Sequence, residues 1–229
     1  MFHPQTYLPA LITQLRRSFG PRLRYVGLQG SYLRGEATED SDLDVMVVLD
    51  LLAPADLDRY RAILAALPQP EKACGFLCGT EDLARWNRLE LGRLLHTTQD
   101  WYGSLRDLVP ASARRDAWAF LQLSAGNLYH EVCHRWVHGD WEETAAALPG
   151  LYKGTFFLLQ NLHWLRTGDF LPTRAALGPC LPPEDRAVLD RGTALRQGAG
   201  GGCREDLARL LAWCQGVLAE ADGALGDEA

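Results

Sequence analysis

Apolar residues recur in steps of three and four from Leu8 through Leu11, Ile12 and Leu15 to Phe19, which predicts a helix over 5–19 with one buried face. Gly20-Pro21 then stops it. The period shortens in "RLRYVGLQG", which predicts a strand, and "SYLRGEA" follows as a short helix. In "DLDVMVVLD" the apolar residues fall on both faces, the pattern of an interior strand. Residues 54–67 predict a helix with Pro54 near its first turn, and "EKACGFLCG" a third strand. "TEDLARW" reads as a helix start with Thr80 at the cap, where Leu83 takes the place of a capping-box acid.

From about residue 111 the strand signal disappears and long helices are predicted at 112–138, 150–167, 183–197 and 203–222. In the last, Leu207, Leu210, Leu211, Cys214, Val217 and Leu218 repeat at helical spacing. "GAGGG" at 198–202 reads as a connector rather than a phosphate loop, because no Lys-Ser/Thr follows it. The chain therefore reads as α+β: strands and helices over 1–110, then an all-α helical bundle over 111–229, with no internal repeat.

Composition narrows the setting. With 47% hydrophobic and 23% charged residues, the 229-residue chain can build a core, and no window approaches the ~18 apolar residues of a membrane span. The first twenty residues have no basic lead before an uninterrupted apolar run, so the expected location is cytoplasmic. A net charge of −6 argues against nucleic-acid binding through a broad basic surface. Six scattered cysteines without CxxC pairs suit reduced thiols; Cys74 and Cys78, about 13 Å apart along a strand, read as packing rather than a metal site.

Candidate chemistry lies in "GLQGSYLRGEATEDSDLDVMVVLD", residues 27–50. Successive strand side chains alternate faces, so Asp42 and Asp44 share one, about 6–7 Å apart. Like charges so placed repel, and a core strand has little structural use for them. A divalent cation removes the objection, since both carboxylates can converge on one ion or on two about 3.5–4 Å apart. Just upstream, Gly30-Ser31 stands where a strand turns into a helix, offering backbone N–H groups, a hydroxyl and the helix dipole to a phosphate. The two devices together describe a metal-bound nucleoside triphosphate.

Gly30, Ser31, Gly35, Ser41, Asp42 and Asp44 fill a pattern that closely resembles the signature of the DNA polymerase β-like nucleotidyltransferase superfamily: a Gly-Ser pair, a later Gly, then Ser-Asp-x-Asp on the next strand. The resemblance implies a small mixed sheet with helices on one side, Mg2+ held by Asp42 and Asp44, the triphosphate tail held by Gly30 and Ser31, and nucleotidyl transfer to a hydroxyl with release of pyrophosphate. ATP is the expected co-substrate, although another triphosphate fits the same residues. Arg34 stands where many relatives carry a basic residue, to touch phosphate or to pair with Glu36 or Glu39. The family also adds a third carboxylate on a following strand. Here Glu71, at the leading edge of "EKACGFLCG", is the first candidate, Glu81 and Asp82 come next, and Cys74 holds mid-strand.

More loosely, "LYKGTFFLLQNLHWLRTGDFLPTR" resembles the bundles that follow this domain in aminoglycoside-type antibiotic nucleotidyltransferases. That likeness implies a basic side chain from the bundle on the triphosphate, Lys153 or Arg174, and a small hydroxylated acceptor such as an aminoglycoside-like antibiotic. The expected acceptor site is an interdomain cleft with Asp42 and Asp44 on one side and helices 112–138 and 150–167 on the other. Trp136, Trp141 and Trp164 suit a ring-shaped acceptor there, and a homodimer completing the cleft is left open. The alternative is an antitoxin-like or regulatory protein of the same fold that modifies or binds a partner protein. A remoter one is a zinc hydrolase, since "HEVCH" at 130–134 satisfies HExxH and His138 extends the row. No further ligand follows at the usual spacing, so a histidine row lining the cleft or packing between helices is preferred.

Overall fold

The computed structural model describes residues 3–110 and 113–227. The chain separates into two compact units, Met1–Ala111 and Ser112–Ala229. The boundary expected at 110/111 and the helix start expected at 112 fall at residues 111 and 112, outside the described residues.

The first unit runs α1 (Pro4–Phe19), β1 (Leu23–Leu28), α2 (Gly30–Arg34), β2 (Leu43–Leu49), α3 (Pro54–Ala65), β3 (Ala73–Gly79), α4 (Thr80–Ala84), α5 (Arg88–Thr97) and β4 (Gln99–Tyr102). Its four strands lie in the order β3-β2-β1-β4. The β1–β2 and β1–β4 pairs are antiparallel and the β2–β3 pair parallel, so the sheet is mixed. β2 is interior and buried along its length apart from Asp44, as its unbroken apolar run requires.

Alternation along β2 divides the core. Leu43, Val45, Val47 and Leu49 face a cluster with Leu8, Leu11 and Leu15 of α1 and Ile63 of α3. Met46 and Val48 face the other way, into a cluster with Tyr25 of β1, Leu83 of α4 and Leu91 of α5. Helices thus cover both faces of the sheet, which corrects the expectation of helices on one side. The reason is α4 and α5: the short mixed pattern of "RLELGRLLH" hides Leu91, a buried position that seats α5. β4 was equally hidden, being four residues of edge strand. The cap of α4 also differs from expectation. Gly79, not Thr80, precedes the helix, and Asp82 three residues on accepts the Gly79 N–H. The Thr80 hydroxyl donates instead to the Asp50 carbonyl at 2.7 Å.

The second unit is helical: α6 (Arg114–His138), α7 (Trp141–Thr167), α8 (Arg174–Leu177), α9 (Pro183–Arg196) and α10 (Cys203–Asp227). Its core joins Leu121 and Val132 of α6, Tyr152 and Leu159 of α7, Leu189 of α9 and Leu210 of α10. Each such side chain contributes about 1.5–3 kcal/mol by leaving water. α7 begins nine residues before the expected start at 150. Asp140 caps it, accepting the N–H groups of Glu142 and Glu143 at 2.8 and 3.0 Å, and the helix continues through the proline. No helix among the described residues is long and apolar enough to cross a membrane.

Candidate active site

The site grows from the β1–α2–β2 connection. Leu28 of β1 pairs with Val45 of β2, and the Gln29 N–H donates to the Asp44 carbonyl at 2.9 Å, so the chain leaving β1 is bound to the start of β2. Gly30 follows at φ +70, a left-handed conformation that strains any residue with a Cβ. Space is as restrictive as torsion there: a Cβ on Gly30 would stand 1.8 Å from Asp44 Oδ2. The Gly-Ser turn and the Asp44 carboxylate are therefore one local structure, and the glycine is what lets the carboxylate lie against the start of α2.

Ser31 is half-buried in the first turn of α2, and its carbonyl accepts the Glu36 N–H at 2.9 Å where the helix closes. Gly35 ends α2 in the left-handed region at φ +67. Ser41 works within the next turn: its hydroxyl accepts the Thr38 N–H at 2.9 Å, and its own N–H donates to the Thr38 carbonyl at 3.1 Å. That turn delivers Asp42, which is exposed and lies one residue before β2 rather than in it. Between the aspartates, Leu43 is buried on the opposite face. Asp44 thus projects to the side that α5 covers further along, and Asp42 stands two residues ahead of it in the chain.

The other expected residues take separate places. Glu71 is exposed in the 3-10 turn Pro70–Lys72, ahead of β3. The register partner of Asp44 on β3 is Cys74, which is exposed and on the same face. Among the described residues no three His, Cys, Asp or Glu side chains gather as a metal-holding group, so Glu71 is not brought to Asp42 and Asp44 as a third ligand. Glu81 pairs with Arg85 in the exposed first turn of α4, and Asp82 serves the α4 cap. Lys72, beside Glu71, donates to the Glu39 carbonyl and so ties the loop before Asp42 to the start of β3.

Arg34 pairs with Glu36 at 3.1 Å, one of the two carboxylates named for it. A residue not anticipated joins it: Arg93, half-buried on α5. Burial holds the Arg93 guanidinium below its ordinary pKa, with Arg34 adding to the effect and Glu90 opposing it. The signal for Arg93 was absent because α5 itself was not expected. In the helical unit, Lys153 is exposed on α7, whereas the Arg174 guanidinium lies over the Phe156 ring, 4.0 Å from its centroid. Of the three tryptophans, Trp136 and Trp141 meet edge-on at 6.1 Å with Arg204 over both, and Arg114 lies over Trp164.

Residues 9–73, which hold the whole Gly-Ser to Asp-x-Asp segment, match the nucleotidyltransferase domain family. This segment is a nucleotidyltransferase domain of the DNA polymerase β-like superfamily. Over 67 residues it is 40% identical to the protein adenylyltransferase MntA of Thermococcus cleftensis (strain DSM 27260 / KACC 17922 / CL1), a match covering 28% of this chain and 66% of that protein. The chain thus spans just under two thirds of that relative's length. Beyond the nucleotidyltransferase domain, the structure is similar to that of the spectinomycin adenyltransferase AAD(9) from Enterococcus faecialis, crystallised with ATP and spectinomycin. The TM-score is 0.58 at 14% identity, over 95% of this chain and 100% of that one. At this identity the likeness is one of fold, and it extends through the helical bundle.

Proposed function

We propose that the chain is a magnesium-dependent adenylyltransferase that moves AMP from ATP to a hydroxyl of a small acceptor, of the aminoglycoside-like class. The observation that carries this reading is the seating of Asp44 against Gly30, which leaves no room for a Cβ and places a carboxylate beside the Ser31 hydroxyl's turn. The donor set is one of hard oxygens, Asp42 and Asp44, which suits Mg2+. Bound there, the ion would orient the triphosphate and offset charge on the departing pyrophosphate. Ser31 and the backbone of Gly30 hold the triphosphate tail, and Arg34 and Arg93 supply positive charge to it. Glu71 is kept as the candidate third carboxylate, to receive the acceptor's proton.

Calorimetry with a nonhydrolysable ATP analogue and magnesium tests the nucleotide half. Binding by the wild type that disappears in Asp42→Ala/Asp44→Ala supports it, and equal binding by both overturns it. A second reading, transfer to a partner protein, is favoured by the 40% identity to a protein adenylyltransferase over the catalytic segment. Incubation of α-labelled ATP with a panel of aminoglycosides and with cell lysate separates the two. Label in the small molecule supports the first reading, and label in a protein band the second.

A further inference from the structure

The histidine row on α6 takes no part in nucleotidyl transfer as assigned above. His130, His134 and His138 recur every four residues and all three are exposed. The His134 and His138 ring centroids are 5.2 Å apart, those of His130 and His134 6.4 Å. With zinc about 2.0–2.1 Å from each nitrogen, and the nitrogen about 1.2 Å from its ring centre, two imidazoles of one tetrahedral site have centroids about 5 Å apart. The second pair meets that spacing. The first pair, which belongs to the HExxH pattern, would need its nitrogens on nearly opposite sides of an ion. His138 also ends α6, where the helix dipole favours a cation. Glu131, the acid of the pattern, is held by Arg135 at 2.6 Å, so no base stands ready for hydrolysis. Among the described residues no third ligand joins the pair.

We propose that His134 and His138 form a two-histidine site for a borderline divalent transition-metal ion, zinc or nickel, with water in the remaining positions. It is a binding site, not a hydrolytic one, and it does not take magnesium, whose preference is for oxygen ligands. The test is titration of the full chain with ZnCl2 and NiCl2 by calorimetry, without nucleotide and with Asp42→Asn/Asp44→Asn as the background so that the carboxylates do not compete. One equivalent is expected to bind. His134→Ala and His138→Ala should each weaken binding at least about tenfold, while His130→Ala changes it less than about threefold, circular dichroism confirming the helix in each. Absence of binding, or equal losses from all three substitutions, overturns the assignment.

Discussion

A Cβ on Gly30 would stand 1.8 Å from Oδ2 of Asp44, whereas a Cβ on Gly35, five residues on, would meet nothing within 4 Å. Both glycines have positive φ, +70 and +67, so the two positions share their backbone strain and differ in the carboxylate. Gly30→Ala and Gly35→Ala should each lose about 1–2 kcal/mol of stability from the left-handed torsion. Only Gly30→Ala must also displace Asp44, and a displacement of about 1 Å at reacting groups is worth about 100-fold in rate. Pyrophosphate release in the presence of ATP, magnesium and acceptor should therefore fall at least about 100-fold in Gly30→Ala and less than about threefold in Gly35→Ala. Equal losses would remove Asp44 from the argument.

Asp42 offers the cleaner test of the metal. It is exposed and precedes β2, so Asp42→Asn keeps the shape and should shift unfolding by no more than about 0.5 kcal/mol. Loss of one of two carboxylates should nevertheless weaken magnesium-dependent nucleotide binding by about 100-fold or more, since the ion is worth several kcal/mol of charge stabilisation. Calorimetry with and without magnesium reads both terms. Binding that survives in the variant with unchanged magnesium dependence would sink the role.

How much of this was legible follows from how local each signal is. Gly30, Ser31, Asp42 and Asp44 lie close together in the chain, so their pattern is read directly from the sequence. The surroundings depend on pairing at a distance. That Cys74 faces Asp44 follows from the parallel β2–β3 register, which no spacing within "EKACGFLCG" encodes. Arg93 was out of reach because, among the described side chains of α5, Leu91 alone is fully buried, which leaves the periodicity weak. In the helical unit the expected helix begins at 150, but Asp140 caps α7 nine residues before that position and the helix runs on through Pro149, absorbing one missing N–H. Local rules thus find the Gly-Ser and Asp-x-Asp pattern, whereas α5 and the β2–β3 register rest on contacts between distant segments.

Acid should reach the first unit through Asp56. Arg22 donates to both of its oxygens, Nη1 to Oδ1 at 2.9 Å and Nη2 to Oδ2 at 2.8 Å, and the Ala53 N–H adds a third bond at 3.0 Å. The Arg22 hydrogen bonds lower the Asp56 carboxyl to about 2, against the opposing effect of burial. The folded value lies below the unfolded value of about 3.9. The stability it contributes is thus fully present above pH ~4 and is lost as pH falls toward 2. Unfolding free energy measured by denaturant titration from pH 5 to 2 should fall in the wild type and fall less steeply in Asp56→Asn, which starts lower at neutral pH. Parallel slopes for the two proteins would place the acid sensitivity elsewhere.

The helical unit is tied at Asp185. This residue, in the first turn of α9, accepts from Arg166 of α7 and from the Trp213 indole N–H of α10 at 2.7 Å, and its side chain is only 6% exposed. Arg166 reaches on to Glu220 of α10 through two bonds of 2.8 and 2.6 Å, but that carboxylate is a third exposed. The two arms differ in solvent screening and so in worth. Asp185→Ala removes the buried partner of a guanidinium and leaves the indole N–H unsatisfied, which should cost about 3–5 kcal/mol. Asp185→Asn keeps an acceptor for Trp213 and should fall between. Glu220→Gln, on the screened arm, should cost no more than about 1 kcal/mol. Chemical denaturation of the three variants in the full chain orders them, and a Glu220→Gln loss equal to that of Asp185→Ala would show that the exposed arm, not the buried one, joins α7 to α9 and α10.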